Sequence, residues 1–144
     1  VAEVSSVRVA SFVFDTTDAR RLAEFYRRLL GATYRPGDEP PDAFLPDERG
    51  SDWLVLLGPS GSYRLAFQQV RELKPVTWPE GAVPQQMHLD LCVSTKAALD
   101  EAHERALALG AKQLFDRSRD PEEPLRVYSD PSGHPFCIFL ADEG

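Results

Sequence analysis

Hydrophobic and polar positions along the chain follow two alternating patterns. The stretch Val7-Arg-Val-Ala-Ser-Phe-Val-Phe14 is dense in β-branched and aromatic residues and too short for a buried helix, so it predicts a strand. Asp15-Thr-Thr-Asp18 then offers helix N-caps, and Leu22, Phe25, Tyr26, Leu29 and Leu30 recur at helical spacing before Gly31. An amphipathic helix with one apolar face is expected there, closed by a glycine suited to the left-handed position after a helix end.

The same order returns downstream. Met87-His-Leu-Asp-Leu-Cys-Val93 predicts a strand, Ser94-Thr95 a cap, and Leu99, Ala102, Ala106 and Leu109 a helix face closed by Gly110. Both helices end in Leu-Gly-Ala, at residues 30–32 and 109–111, which marks an internal repeat. Enough chain follows each helix for a three-stranded meander. Its strands are expected at Asp52–Leu57 and Tyr63–Val70 in the first half, and at Lys112–Phe115, Leu125–Ser129 and Pro135–Leu140 in the second. Gly58-Pro-Ser-Gly61 and Asp130-Pro-Ser-Gly133 predict the turns before the last strands. Each half therefore reads βαβββ, an α+β organisation. Residues 1–144 are expected to be a single domain, with module 1 at about 6–70, a linker at about 71–85 carrying Pro75, Pro79 and Pro84, and module 2 at about 86–141.

Charge narrows the partners. A net charge of −7 opposes attraction to phosphate backbones, so nucleic acid is not an expected partner. The acidity is spread over Asp38–Asp47, Asp116–Glu123 and the C-terminal end, which reads as solvated surface. No apolar run is long enough to span a bilayer, and Val1–Val13 lacks the basic head and apolar stretch of a secretory leader. Cys92 and Cys137 fit neither a zinc spacing nor a disulfide framework. A cytoplasmic protein, away from membranes, is the expectation.

The strand, Asp18, Phe25-Tyr26 and Leu30-Gly31 together resemble the opening signature of the vicinal-oxygen-chelate (VOC) superfamily, which includes glyoxalase I, bleomycin-resistance proteins and extradiol dioxygenases. His88-Leu-Asp-Leu and Asp130-Pro-Ser-Gly-His-Pro-Phe136 look like its second-module strand and turn. Within the superfamily, Leu65-Ala-Phe-Gln-Gln69, Pro84-Gln-Gln-Met-His88 and Gly133-His-Pro-Phe-Cys137 resemble glyoxalase-like proteins of actinobacterial type. The resemblance implies two βαβββ modules curled into a cup, and a metal, where present, held by one residue from each of four strands.

In Met87–Val93 the alternation of side chains should turn Met87, Leu89, Leu91 and Val93 to the helix and Gln86, His88, Asp90 and Cys92 to the cup. His88 then stands at the second-module ligand place. Seven residues beyond Asp130 stands Cys137, where the metal enzymes usually carry Glu. In the first module, Ser11 or, in an alternative alignment, Val9 occupies the place of a His or Gln, and Gln68 that of a Glu. Neither a three-ligand zinc site nor a two-His-one-carboxylate iron site assembles from these residues.

The expected ligand pocket is therefore Ser11, Gln68, His88, Cys137, Trp53 and Tyr128, with His88 and Asp90 as catalytic candidates: a general base and the carboxylate that orients it. Any metal, whether Zn, Ni, Mn or Fe, would fall to His88 and Gln68. Cys137 reads as a small buried hydrophobe, and His103 and His134 as structural or solvent-facing. The leading expectation is a glyoxalase-like protein that binds a small organic molecule between its modules without the full metal site of glyoxalase I. The alternatives are a divalent-metal-dependent lyase, isomerase or dioxygenase using His88, and an interaction module without ligand. A closed monomer and a domain-swapped homodimer both remain open.

Overall fold

The computed structural model describes residues 5–78 and 81–141; Pro79 of the linker, the first four residues and the acidic end at 142–144 lie outside the described residues. Two four-stranded sheets, each backed by one helix, form an α+β fold of two βαβββ modules. The first contains β1 (Phe12–Thr16), α1 (Ala19–Leu30), β2 (Thr33–Tyr34), β3 (Trp53–Leu57) and β4 (Arg64–Gln69). The second contains β5 (Leu89–Val93), α2 (Lys96–Ala108), β6 (Lys112–Arg117), β7 (Leu125–Ser129) and β8 (Pro135–Leu140).

The strand orders, β1-β4-β3-β2 and β5-β8-β7-β6, are the same topology twice. In each, the first strand pairs parallel with the last and leaves its outer edge free, while the remaining pairs are antiparallel. The strand expected at 7–14 begins only at Phe12. The reason lies in the register: Phe12 pairs with Leu65 at the start of β4, so the chain before it has no neighbour to bond, and Val7 and Val9 are exposed.

Local signals close both helices as expected. Asp18 Oδ1 accepts from Arg21 N at 3.1 Å and Thr95 Oγ1 from Ala98 N at 3.0 Å, which satisfies one orphan donor at each helix start. Gly31 ends α1 in the left-handed conformation, φ +65°, while Ala32 N bonds back to Arg27 O. Helix α1 buries Leu22, Phe25 and Tyr26 against Phe67, Leu54 and Leu56 of its sheet. Each such side chain contributes about 1.5–3 kcal/mol by leaving water.

One continuous core runs through both modules, because Tyr26 and Phe25 of α1 also touch Phe136 of β8, with ring centroids 6.2 and 5.8 Å apart. The Asp130–Gly133 turn completes the junction. Asp130 is buried; its Oδ2 accepts from the Tyr26 hydroxyl at 2.7 Å and its Oδ1 from Ser132 N and His134 N at 2.8 and 3.0 Å. Burial pushes the Asp130 carboxyl above its ordinary range against the pull of these donors, and pushes the Tyr26 phenol well up, so the phenol stays a donor.

The first acidic loop is not simply solvated. Asp38 is fully buried, accepting from Val55 N at 2.9 Å and pairing with Arg35 and Arg49 at 3.0 and 2.9 Å, and Asp47 receives both Nε and Nη2 of Arg20. Among the described residues, no helix is long and apolar enough to cross a membrane.

Candidate functional site

Two cavities meet along the second module. The larger, a cleft of about 650 Å³, lies where β1 and β4 of the first module face the start of β5 and the Ser132–Pro135 turn of the second. The linker covers part of it with Leu73, Lys74, Pro75 and Val76. The smaller cavity, about 480 Å³, lies over the second sheet on the side away from α2, with Trp78 and Gln85 of the linker as one wall and Phe115, Val127 and Cys137 as another. His88 and Pro135 border both, so the imidazole stands at the junction.

Strand geometry explains which side chains arrive there. On β5, Leu89, Leu91 and Val93 pack against the core while Asp90 and Cys92 are exposed on the opposite face, and His88, two residues before Asp90, shares that face. Met87, expected on the helix side, precedes the strand, where the alternation no longer binds it, and is exposed at the cleft. The parallel register of β5 with β8 sets Asp90 beside Cys137. His88 Nε2 lies 3.3 Å from Asp90 Oδ1, and donor atoms of His88, Asp90 and Cys137 all lie within 4.8 Å of one another. Burial, and next the Asp90 carboxylate, push the Cys137 thiol up to about 11, so it is a neutral thiol near pH 7.

Gln68 on β4 lines the same cleft as His88 and Asp90. Three other expected pocket residues do not border either cavity. Ser11 precedes β1. Trp53 pairs with Gln68 across β3 and β4, and so shares its face, but stands one strand further from the module junction. Tyr128 is fully buried on the helix side of β7, stacked on Phe136 at 5.1 Å and bonded through its hydroxyl to His103 Nδ1 at 2.8 Å; its neighbour Val127 is the residue that faces the cavity.

His134 has a larger part than the sequence suggests. It lines the cleft, its Nε2 donates to the Asp15 carbonyl at 2.7 Å, and its ring meets Phe14 edge-on at 5.3 Å. Trp78, in contact with Phe115 at 6.0 Å, was also missed; a tryptophan inside a proline-rich linker was the available signal, since so large an apolar surface seeks cover.

A divalent metal bound through all four strands does not fit. At the four places the resemblance implies stand Ser11 or Val9, Gln68, His88 and Cys137, which supply no carboxylate and only one imidazole, and Ser11 is outside the cavities.

A glyoxalase-like domain family matches residues 11–139, nearly the whole chain. The chain belongs to that family. No curated protein is similar enough in sequence to this glyoxalase-like chain to count as a match. Among solved structures it is similar to a glyoxalase/bleomycin resistance protein/dioxygenase family enzyme from Burkholderia phytofirmans PsJN, at 17% identity and TM-score 0.64, over 91% of this chain and 96% of that one. It is also similar to a glyoxylase/bleomycin resistance protein/dioxygenase domain from Frankia sp. EAN1pec, at 15% identity and TM-score 0.66, over 97% and 96%. A variant of the fosfomycin resistance protein FosX from Listeria monocytogenes, complexed with Mn(II) and 1S,2S-dihydroxypropylphosphonic acid, matches at 17% identity and TM-score 0.67, over 97% and 95%. At these identities the likeness is one of fold, and the glyoxalase-like domain shares the two-module VOC architecture with all three.

Proposed function

We propose that this glyoxalase-like protein binds a small organic molecule in the cleft between its modules, without the four-strand metal site of glyoxalase I. The observation that carries the reading is the cleft itself. Its volume of about 650 Å³ falls in the range of small-molecule sites, both modules and the linker contribute walls, and the walls are mostly apolar. Phe12, Val13 and Met87 are exposed there, an arrangement that leaves apolar surface for a ligand to cover. Polar groups converge at one side, with Gln68, His88 and Asp90 able to fix one polar end of a ligand.

The test is thermal-shift screening of small aromatic and antibiotic-like compounds on metal-free protein in chelator, followed by fluorescence titration of hits. The expected result is a saturable ligand whose affinity falls at least about tenfold in Gln68→Ala and His88→Ala, the loss of one hydrogen bond from an apolar pocket. Hits that bind both variants as tightly as wild type would refute this placement. A metal-dependent lyase, isomerase or dioxygenase is the second reading, and the meeting of His88, Asp90 and Cys137 is what favours it.

A further inference from the structure

Three chemically different donors meet on one face of the second sheet, and the pairing of the strands is what brings them together. Asp90 and Cys137 occupy the same rung of the parallel β5–β8 pair, and His88 precedes Asp90 by one side-chain repeat. Their donor atoms lie within 4.8 Å of one another, close enough to converge on a common ion by small side-chain rotations. His88 and Asp90 are exposed and Cys137 is half-buried, so an ion can reach them from solvent. Among the described residues no lysine or arginine pairs with Asp90; its one ion-pair partner is His88.

A second observation points to the same place. Among the described residues Gln85 Oε1 is buried without a hydrogen-bond partner, and Gln85 lines the smaller cavity together with His88 and Cys137. A buried acceptor left unpaired is costly, and a donor held in that cavity, such as water on a cation, would satisfy it.

A nucleophilic cysteine is the rival use of these residues. It needs an imidazole facing the thiol to take its proton. Here the His88 nitrogen nearest a partner is turned to Asp90, and the carboxylate beside the thiol works against a thiolate. A cation reverses that conflict, since it favours every donor in its deprotonated form.

We propose that His88, Asp90 and Cys137 form a three-donor site for a borderline divalent cation of the Zn²⁺ type, built within the second module alone. One thiolate, one imidazole and one carboxylate are ligands that Zn²⁺ accepts, and three protein ligands leave a position for water or for a ligand atom. The set differs from the four-strand arrangement implied by the fold: Asp90 is outside that arrangement, and the first module contributes nothing. On binding, the thiol proton passes to solvent and the sulfur forms the bond to the cation, with no change of oxidation state. The site shares His88 and Asp90 with the organic-ligand reading, but that reading is tested on metal-free protein and this one by cation binding, so either can fail alone.

Tag-free, metal-stripped full chain should be titrated with Co²⁺, a spectroscopic stand-in for Zn²⁺. One equivalent is expected to raise a thiolate-to-cobalt charge-transfer band in the near ultraviolet, and Zn²⁺ is expected to remove it. Cys137→Ser should abolish the band, Cys92→Ser should retain it, and His88→Ala and Asp90→Asn should each weaken Co²⁺ binding at least about tenfold, as loss of one of three ligands requires. In unmutated protein, which removes any doubt about folding of the variants, saturating Zn²⁺ should protect Cys137 and not Cys92 from alkylation. Absence of the band, a band that follows Cys92, unchanged affinity in both the His88 and Asp90 variants, or unprotected Cys137 would each overturn the site.

Discussion

The buried hydrogen bond between Tyr26 and Asp130 joins the modules, and removing either end should cost more than an ordinary surface bond. Tyr26 is wholly buried on α1, and Asp130, 3% exposed, begins the turn into β8. Tyr26→Phe deletes one donor to a carboxylate and should destabilise the fold by about 2 kcal/mol, within the range for bonds to charged groups. Asp130→Ala leaves three donors without their acceptor: the Tyr26 hydroxyl, Ser132 N and His134 N. The hydroxyl is sealed from water while the two amides are half-buried, so the full penalty applies to the first and a part to the others, about 3 kcal/mol altogether. Asp130→Asn keeps an oxygen for the amides and should cost less, about 1 kcal/mol. Urea denaturation of the three variants and of the double variant Tyr26→Phe/Asp130→Ala closes a cycle, in which the double loss should fall short of the sum by about 1–2 kcal/mol. The same turn holds the cleft wall through Ser132 Oγ, 2.8 Å from Thr16 Oγ1, and through His134 on the Asp15 carbonyl. Ligand affinity should therefore fall with stability. Asp130→Ala within about 0.5 kcal/mol of wild type, or strict additivity in the cycle, would show that water or a repacked turn replaces the bond and that the reasoning fails.

Arg20 holds the Asp47 carboxyl below its usual range through bonds of 2.7 and 2.9 Å. A depressed folded-state pKa gives stability that is present above the unfolded carboxylate value and lost as pH falls through the folded one. Asp47→Asn should thus cost up to about 1 kcal/mol at pH 7, discounted for solvent screening, and almost nothing at strongly acid pH, as paired urea titrations would show. In metal-free protein, exposed Cys92 should alkylate first and Cys137, a neutral half-buried thiol beside Asp90, at least about tenfold slower; Asp90→Asn should narrow that gap, read by peptide mass spectrometry. Gly133→Ala should destabilise by about 2 kcal/mol, since φ is +90° there and a Cβ would stand 3.0 Å from the Pro75 side chain. Because Pro75 lines the cleft, this variant should also weaken ligand binding; unchanged stability and affinity would mean that the linker moves aside freely.

Where the chain carries dense local signals, its sequence is legible. The turn sequences Gly58–Gly61 and Asp130–Gly133, the caps at Asp18 and Thr95 and the apolar strands β3, β4, β7 and β8 all announce themselves within a few residues. β2 does not, because two residues carry no periodicity, and its existence depends on β3 beside it. Site residues divide the same way. His88 and Asp90 share a face by the two-residue repeat of a strand, which any reader of the chain can count. Tyr128 and Trp53, expected in the pocket, border neither cavity, Tyr128 because it faces the helix and Trp53 because its strand lies too far from the junction, and neither face choice nor strand order is a local property. Cys137 shows what settles such matters. Phe136 is wholly buried and Ile138 is 3% exposed, so the apolar alternation of β8 commits those two to the helix side and leaves Cys137 on the other. A slip of one residue against β5 would bury Cys137 under α2 and set an apolar side chain beside Asp90. The core that holds β8 in register therefore also decides that the thiol, the carboxylate and the imidazole meet, and a substitution that weakens Phe136 or Ile138 acts on the site without touching it.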